Sequence, residues 1–82
     1  MEVVTTKNRT RDRRYGVDSL TARERVLAAL VCRGWSNQRI SGELGITVRT
    51  VKNRLTVVYD KVGVHSRAEL IVAITRLVRS GT

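Results

Sequence analysis

Apolar and polar positions divide the chain into four segments after a polar start. From residue 22 to about residue 33, Leu27, Leu30 and Val31 recur at helical spacing with Val26 beside them, so one inner face is expected there. Thr21 precedes this run and Glu24 stands three residues later, the spacing of a capping box in which each side chain satisfies the other residue's backbone N–H. Gly34 is the expected stop. A shorter segment, 37–44, follows Ser36 as N-cap and closes at Gly45. Its third position holds Arg39 instead of Glu, so half of the box is lost, and Gly42 inside it costs about 1 kcal/mol relative to Ala.

The third segment has the clearest pattern. Thr47 as N-cap and Gly63 as terminator predict a helix from Val48 to about Val62. At 100° per residue, Val48, Val51, Leu55, Val58, Tyr59 and Val62 fall within an arc of about 100°. Arg49, Lys52, Asn53 and Thr56 fall in a second arc turned away from the first. Ser66 and Glu69 make a second capping box and open a helix expected from Arg67 to about Arg79. Leu70, Ile71, Ala73, Ile74, Leu77 and Val78 share one broad side of it, while Ala68 and Val72 lie on the other. Such helices cannot each hide a face alone, which predicts an all-α, compact four-helix bundle over residues 19–80. A flexible basic N-terminal arm is expected over residues 1–18, because KNRTRDRR (7–14) is strongly basic and has no hydrophobic period.

Charge then narrows the purpose of the bundle. Sixteen basic against seven acidic residues give a formal charge of +9 in 82 residues. Nucleic acid is the first partner this suggests. A lipid surface is the weaker rival, because no segment is a long basic amphipathic helix without its own caps and stops. No stretch has the length of a membrane span and no signal-peptide pattern opens the chain, so a cytoplasmic place is expected. Cys32 is the single cysteine and lies in an apolar run, which suits a small buried hydrophobe in a reducing compartment. With one Cys and one His, His65, there is no zinc site and no nucleophile pair, and glycine-rich phosphate loops are missing. Neither enzymatic activity nor a cofactor is expected.

The second and third segments give the charge a geometry. A short helix, a tight turn at Gly45 and Ile46, and a longer helix with an outward polar face form the helix-turn-helix pattern. The longer helix fits a major groove about 12 Å wide. Lys52 suits guanine O6 or N7, Asn53 an adenine edge, and Thr56 the thymine methyl or a hydroxyl contact. Arg49 shares their arc and joins them as a base-contact candidate, although its marginal place suits a phosphate too. Thr50 and Arg54 flank the strip on the phosphate side. Ser36, Asn37 and Gln38 open the second helix, whose free N–H groups can donate to a phosphate oxygen.

Together these pieces resemble a known family. LTARERVLAAL, GWSNQRI, LGITVRTVKNRL and KVGVHSRAEL, in register and without a gap over residues 20–74, are similar to the LuxR/GerE (NarL/FixJ-type) helix-turn-helix of bacterial transcription regulators. The resemblance implies a four-helix domain that binds double-stranded DNA with its third helix in the major groove. It implies base contacts at Lys52, Asn53 and Thr56, and backbone contacts at Ser36, Asn37, Thr50, Arg54 and Lys61. It also implies a homodimer on two-fold sites, joined through the fourth helix, where Ala68 and Val72 form an apolar pair outside the core arc. RNA polymerase or another regulator would be a further partner. The chain departs from the family pattern at Arg39, Ser41 and Arg54, where Glu, Ala and His are usual, and at Val57, where a polar residue is usual. TVKNRL also looks like region 4 of sigma factors, but the GVHSRAELIVAI tail does not. A third reading is an interaction module that pairs with a full-length regulator and inhibits it. No sensor or phospho-acceptor domain is read in the sequence.

Overall fold

A computed structural model describes residues 16–81 of the chain, with side-chain surroundings through Val78. One turn of 3-10 helix, Val17–Ser19, leads into four α-helices: α1 (Ala22–Cys32), α2 (Asn37–Leu44), α3 (Val48–Val62) and α4 (Arg67–Gly81). The first three boundaries agree with the sequence pattern to a residue, and α4 runs two residues past the expected Arg79. Most of the arm expected over residues 1–18 lies outside the described residues. Its last three positions belong to the folded body, where the Gly16 N–H donates to the Lys61 carbonyl and Val17 packs against the core.

One local device ends α1, α2 and α3. Each finishes at a glycine of positive φ, Gly34, Gly45 or Gly63. The N–H of the next residue then reaches back five positions: Trp35 to the Leu30 carbonyl at 3.2 Å, Ile46 to Ser41 at 3.1 Å, and Val64 to Tyr59 at 2.9 Å. Those three residues are apolar and pack half-buried against the core. A hydroxyl cap follows. Ser36 Oγ accepts from the Arg39 N–H at 3.1 Å, Thr47 Oγ1 from Thr50 at 3.0 Å, and Ser66 Oγ from Glu69 at 3.2 Å. The box that opens α1 is complete, with Thr21 Oγ1 accepting from Glu24 at 3.1 Å and Glu24 Oε1 accepting from Thr21 at 2.8 Å. The box expected at Ser66 is displaced. Glu69 Oε1 takes the N–H of His65 at 2.8 Å, one residue early, because that amide has no backbone partner among the described residues.

Leu20, Leu27, Ala28, Val31, Ile40, Val51, Leu55, Val58 and Leu70 form the core. The α3 stripe supplies three of them, and Val48, Tyr59 and Val62 sit half-buried at its edges. Two expectations change. Val26, placed beside the inner face of α1 by its sequence, is 50% exposed. Helix α1 packs on α3 and α4 together, so its inner arc centres on Leu27 and Val31; Ala28 falls inside that arc and Val26 outside. Leu77 and Val78, grouped with the core side of α4, are 49% and 59% exposed, because the apolar side of α4 is covered only over its first turns. Cys32 is half-buried, and burial pushes its thiol pKa up.

Arg67 clasps the start of α4 to the loop before α2. Its Nη1 donates to Asn37 Oδ1 at 2.7 Å and its Nη2 to the Trp35 carbonyl. The helix-turn-helix joint itself depends on Gly45, at φ 69° and ψ 33°. No atom lies within 4 Å of the place a Cβ would take there, so a side chain would meet backbone strain and no clash. Gly45→Ala should therefore cost about 1–2 kcal/mol of stability, and Gly45→Asn less, because Asn visits this region more readily. Chemical denaturation of the three proteins reads both differences; equal stabilities would show that the joint does not need a left-handed residue.

Candidate nucleic-acid interface

Burial of Val51, Leu55 and Val58 turns the opposite side of α3 outward. Arg49, Lys52, Asn53, Arg54 and Thr56 are all exposed. Among the described residues, the side chains of Arg49, Lys52, Asn53 and Arg54 have no hydrogen-bond or ion-pair partner. Arg49, Lys52, Asn53 and Thr56 thus form one continuous strip over two helical turns, about 10 Å long at 1.5 Å per residue. Asp60 is the acid on this helix, one turn beyond Thr56. Thr56 Oγ1 donates to the Lys52 carbonyl at 3.0 Å. Its methyl and its lone pairs remain for a partner, and its proton does not.

The candidates for phosphate are held differently. Thr47 Oγ1 donates to Thr50 Oγ1 at 2.9 Å while accepting from the Thr50 N–H. The Thr50 hydroxyl proton is thereby left to donate, which suits an acceptor-only partner such as a phosphate oxygen. Asn37 gives its carbonyl oxygen to Arg67, so its NH2 is the remaining donor. Ser36 is occupied as the cap of α2, and Gln38 beside it is exposed. Arg39, the departure that loses the reciprocal half of the cap, lays its guanidinium over the Trp35 ring, 3.8 Å from the centroid.

Lys61 differs from the other candidates. Its Nζ donates to Glu24 Oε1 at 2.9 Å and to the Ser19 carbonyl at 3.5 Å, tying the end of α3 to the beginning of α1. The Lys61 bond and the Thr21 backbone N–H hold the Glu24 carboxyl below the ordinary carboxylate range. Arg54 is exposed on the flank of the strip where the sequence pattern placed it, and the groove beside it is what periodicity did not reveal. There it joins Arg23, Val26, Leu44 and Val57 around a groove of about 580 Å³ between α1, the end of α2 and α3. The departure at Val57 was the available signal for this flank.

Residues 18–74 match the family described as bacterial regulatory proteins, luxR family. Over 52 residues the chain is 50% identical to the probable transcriptional regulatory protein SgaR of Hyphomicrobium methylovorum, an alignment covering 63% of this chain and 25% of SgaR. It is 38% identical over 52 residues to the transcriptional regulatory protein YdfI of Bacillus subtilis, covering 63% and 24%. It is 31% identical over 70 residues to the response regulator protein VraR of Staphylococcus aureus, covering 85% and 34%. The chain spans between a quarter and a third of the length of these relatives.

The Glu24 bonds set an acid dependence. Because its folded pKa lies below its unfolded value, the stability it contributes is complete above the unfolded value and is lost as pH falls through the folded one. Glu24→Gln should be less stable than the parent near neutral pH, with the gap closing as the solution is acidified through the carboxylate range. Thermal melting across that range checks it, and a gap independent of pH would refute the ionic role.

Proposed function

The chain belongs to the luxR family of bacterial regulatory proteins, and from that premise we propose that it binds specific sequences of double-stranded DNA as a transcription regulator, with α3 in the major groove. The observation that carries this reading is the exposed strip of Arg49, Lys52, Asn53 and Thr56 turned away from an apolar stripe whose centre, Val51, Leu55 and Val58, is buried. A major groove admits one helix, and base edges there offer acceptors to Lys52 and paired donor and acceptor sites to Asn53. Arg49 meets a base edge or phosphate at the margin of the strip. Thr56, with its proton turned to the Lys52 carbonyl, presents its methyl to thymine or a lone pair to a base amino group.

Phosphate contacts set register. Thr50 and the NH2 of Asn37 are positioned donors, and Ser36 and Gln38 stand at the amino end of α2. Arg54 carries the charge on the flank. Lys61, paired with Glu24, adds to the local potential and fixes the end of α3, and a direct phosphate contact from it would be shared with that carboxylate. The protein acts in the cytoplasm, as a homodimer on two-fold sites joined through the exposed side of α4 at Ala68 and Val72. RNA polymerase or another regulator is the protein partner that the regulatory role requires.

Selection of bound sequences from random duplex DNA tests this. An enriched two-fold motif is the expected result, with affinity falling steeply as salt rises. A single asymmetric box would favour a sigma-like promoter binder. Absence of enrichment, with no shift of duplex DNA at low salt, would overturn DNA reading. On the selected site Lys52→Ala should cost about 1–3 kcal/mol and relax preference at one base position. Arg54→Ala should weaken specific and random duplexes alike. Equal losses on both duplexes for Lys52→Ala would reject its base-reading role.

A further inference from the structure

The groove of about 580 Å³ between α1, the end of α2 and α3 lies beside the polar strip of α3 and outside it. Three helices each give it one apolar side chain: Val26 from α1, Leu44 from α2 and Val57 from α3. They are 50%, 40% and 45% exposed. Among the described residues six large apolar side chains stand out to this degree, and the other three all lie on α4. Apolar exposure on the rest of the body is therefore gathered at one place, the mark of a surface that a partner covers. Val57, where the family pattern has a polar residue, completes the patch. Two guanidinium groups, Arg23 and Arg54, line the same groove, and neither has an acidic partner among the described residues. The carboxylate there, Glu24, accepts from Lys61 and from the Thr21 N–H. Arg23 also stands in the first turn of α1, where free backbone N–H groups add to the positive potential.

We propose that this groove docks an acidic amphipathic helix of a partner protein, which sets an apolar side chain among Val26, Leu44 and Val57 and carboxylates on Arg23 and Arg54. The proposal gives a place and a chemistry to the protein partner of the regulatory reading, and it rests on that reading only for the partner's role, since docking needs no DNA. Charge complementarity selects the occupant. A second copy of the chain, with sixteen basic and seven acidic residues, brings mostly like charge to the two guanidinium groups. A nucleic-acid backbone satisfies the guanidinium groups but leaves the apolar patch in water. A helix with acidic and apolar residues three and four positions apart satisfies both, because those positions share one face. A carboxylate also matches the fork of a guanidinium, which gives the docked helix a fixed seat.

The test is selection from a displayed library of random peptides of about sixteen residues, long enough for four helical turns, against the full chain without DNA. Enriched peptides should combine Asp or Glu with large apolar residues at spacings of three and four. On the best of them, made as a free labelled peptide, Val57→Ser should weaken binding by roughly tenfold although it leaves the charge unchanged. Arg23→Glu should weaken it by roughly tenfold or more, and a peptide with one acid replaced by Lys should recover binding to that variant. Arg76→Glu makes the same change in net charge on α4 and should cost far less. An acid at position 23 suits the first turn of α1, so this variant should fold. Should it not, Val57→Ser on a half-exposed site still decides the matter. No enrichment, enriched peptides that are acidic without apolar positions, a Val57→Ser chain that binds like the parent, or an Arg76→Glu loss equal to that of Arg23→Glu would each overturn the docking site. The last two would mean that the peptide is held by overall charge alone.

Discussion

The burial of one stripe on α3 governs the rest of the molecule. Val51 and Val58 are fully buried and Leu55 is nearly so. Each such side chain contributes about 1.5–3 kcal/mol when removed from water, comparable with a large share of the whole stability of a small domain. Turning α3 by a single residue would rotate its face by 100°. Lys52 would then enter the apolar centre in place of Val51, leaving a buried ammonium without a partner. Hydrophobic burial therefore fixes the azimuth of the helix, and the azimuth fixes which polar side chains point outward. The core and the candidate DNA face are two consequences of one constraint.

Azimuth alone does not place α3 beside α2, and the joints between helices do that. Each of the three joints follows the same order: a glycine in the left-handed region, an apolar residue turned into the core, then a hydroxyl cap at or soon after it. The apolar residue has two neighbours to satisfy. Trp35 closes α1 and precedes the capped start of α2, and Ile40 four residues beyond the cap lies in the same core; Ile46 and Val51 repeat the relation for α3. A chain without proline thus obtains sharp, defined turns from buried side chains and returned amides. Two longer ties add to this. Arg67 joins α4 to the entry of α2, and Lys61 joins α3 to the cap of α1.

Much of this was legible along the chain because it is local. Caps, glycine stops and successive members of the α3 stripe involve residues within five positions of each other, where spacing determines contact. What was misplaced depends on partners far away in sequence. Val26 falls outside the core and Ala28 inside it because α1 faces two helices whose directions its own residues do not encode. Leu77 and Val78 have the right period for a core, and no neighbour among the described residues covers them. Lys61, a phosphate candidate by resemblance, also meets Glu24, 37 positions away, a pairing that spacing along the chain does not show. The displaced box at Glu69 is a smaller case: two amides lie within reach of one carboxylate, and spacing cannot rank them.

The proposed interface divides its side chains by how they are held. Those assigned to phosphates include two whose polar atoms are anchored within the protein, Thr50 by Thr47 and Asn37 by Arg67. Anchored donors lose little freedom on binding, so they suit contacts that must recur on every sequence and set the register. Lys52 and Asn53, assigned to base edges, have no such anchor among the described residues and can adapt to the pattern a base pair presents. Arg54 is the exception: a phosphate candidate on a long, unanchored side chain beside an apolar groove. On this reading its strength is charge more than geometry. Altering Thr47 or Arg67, neither of which faces the groove strip, would then disturb register through the donors they hold, while Arg54 would act on affinity alone.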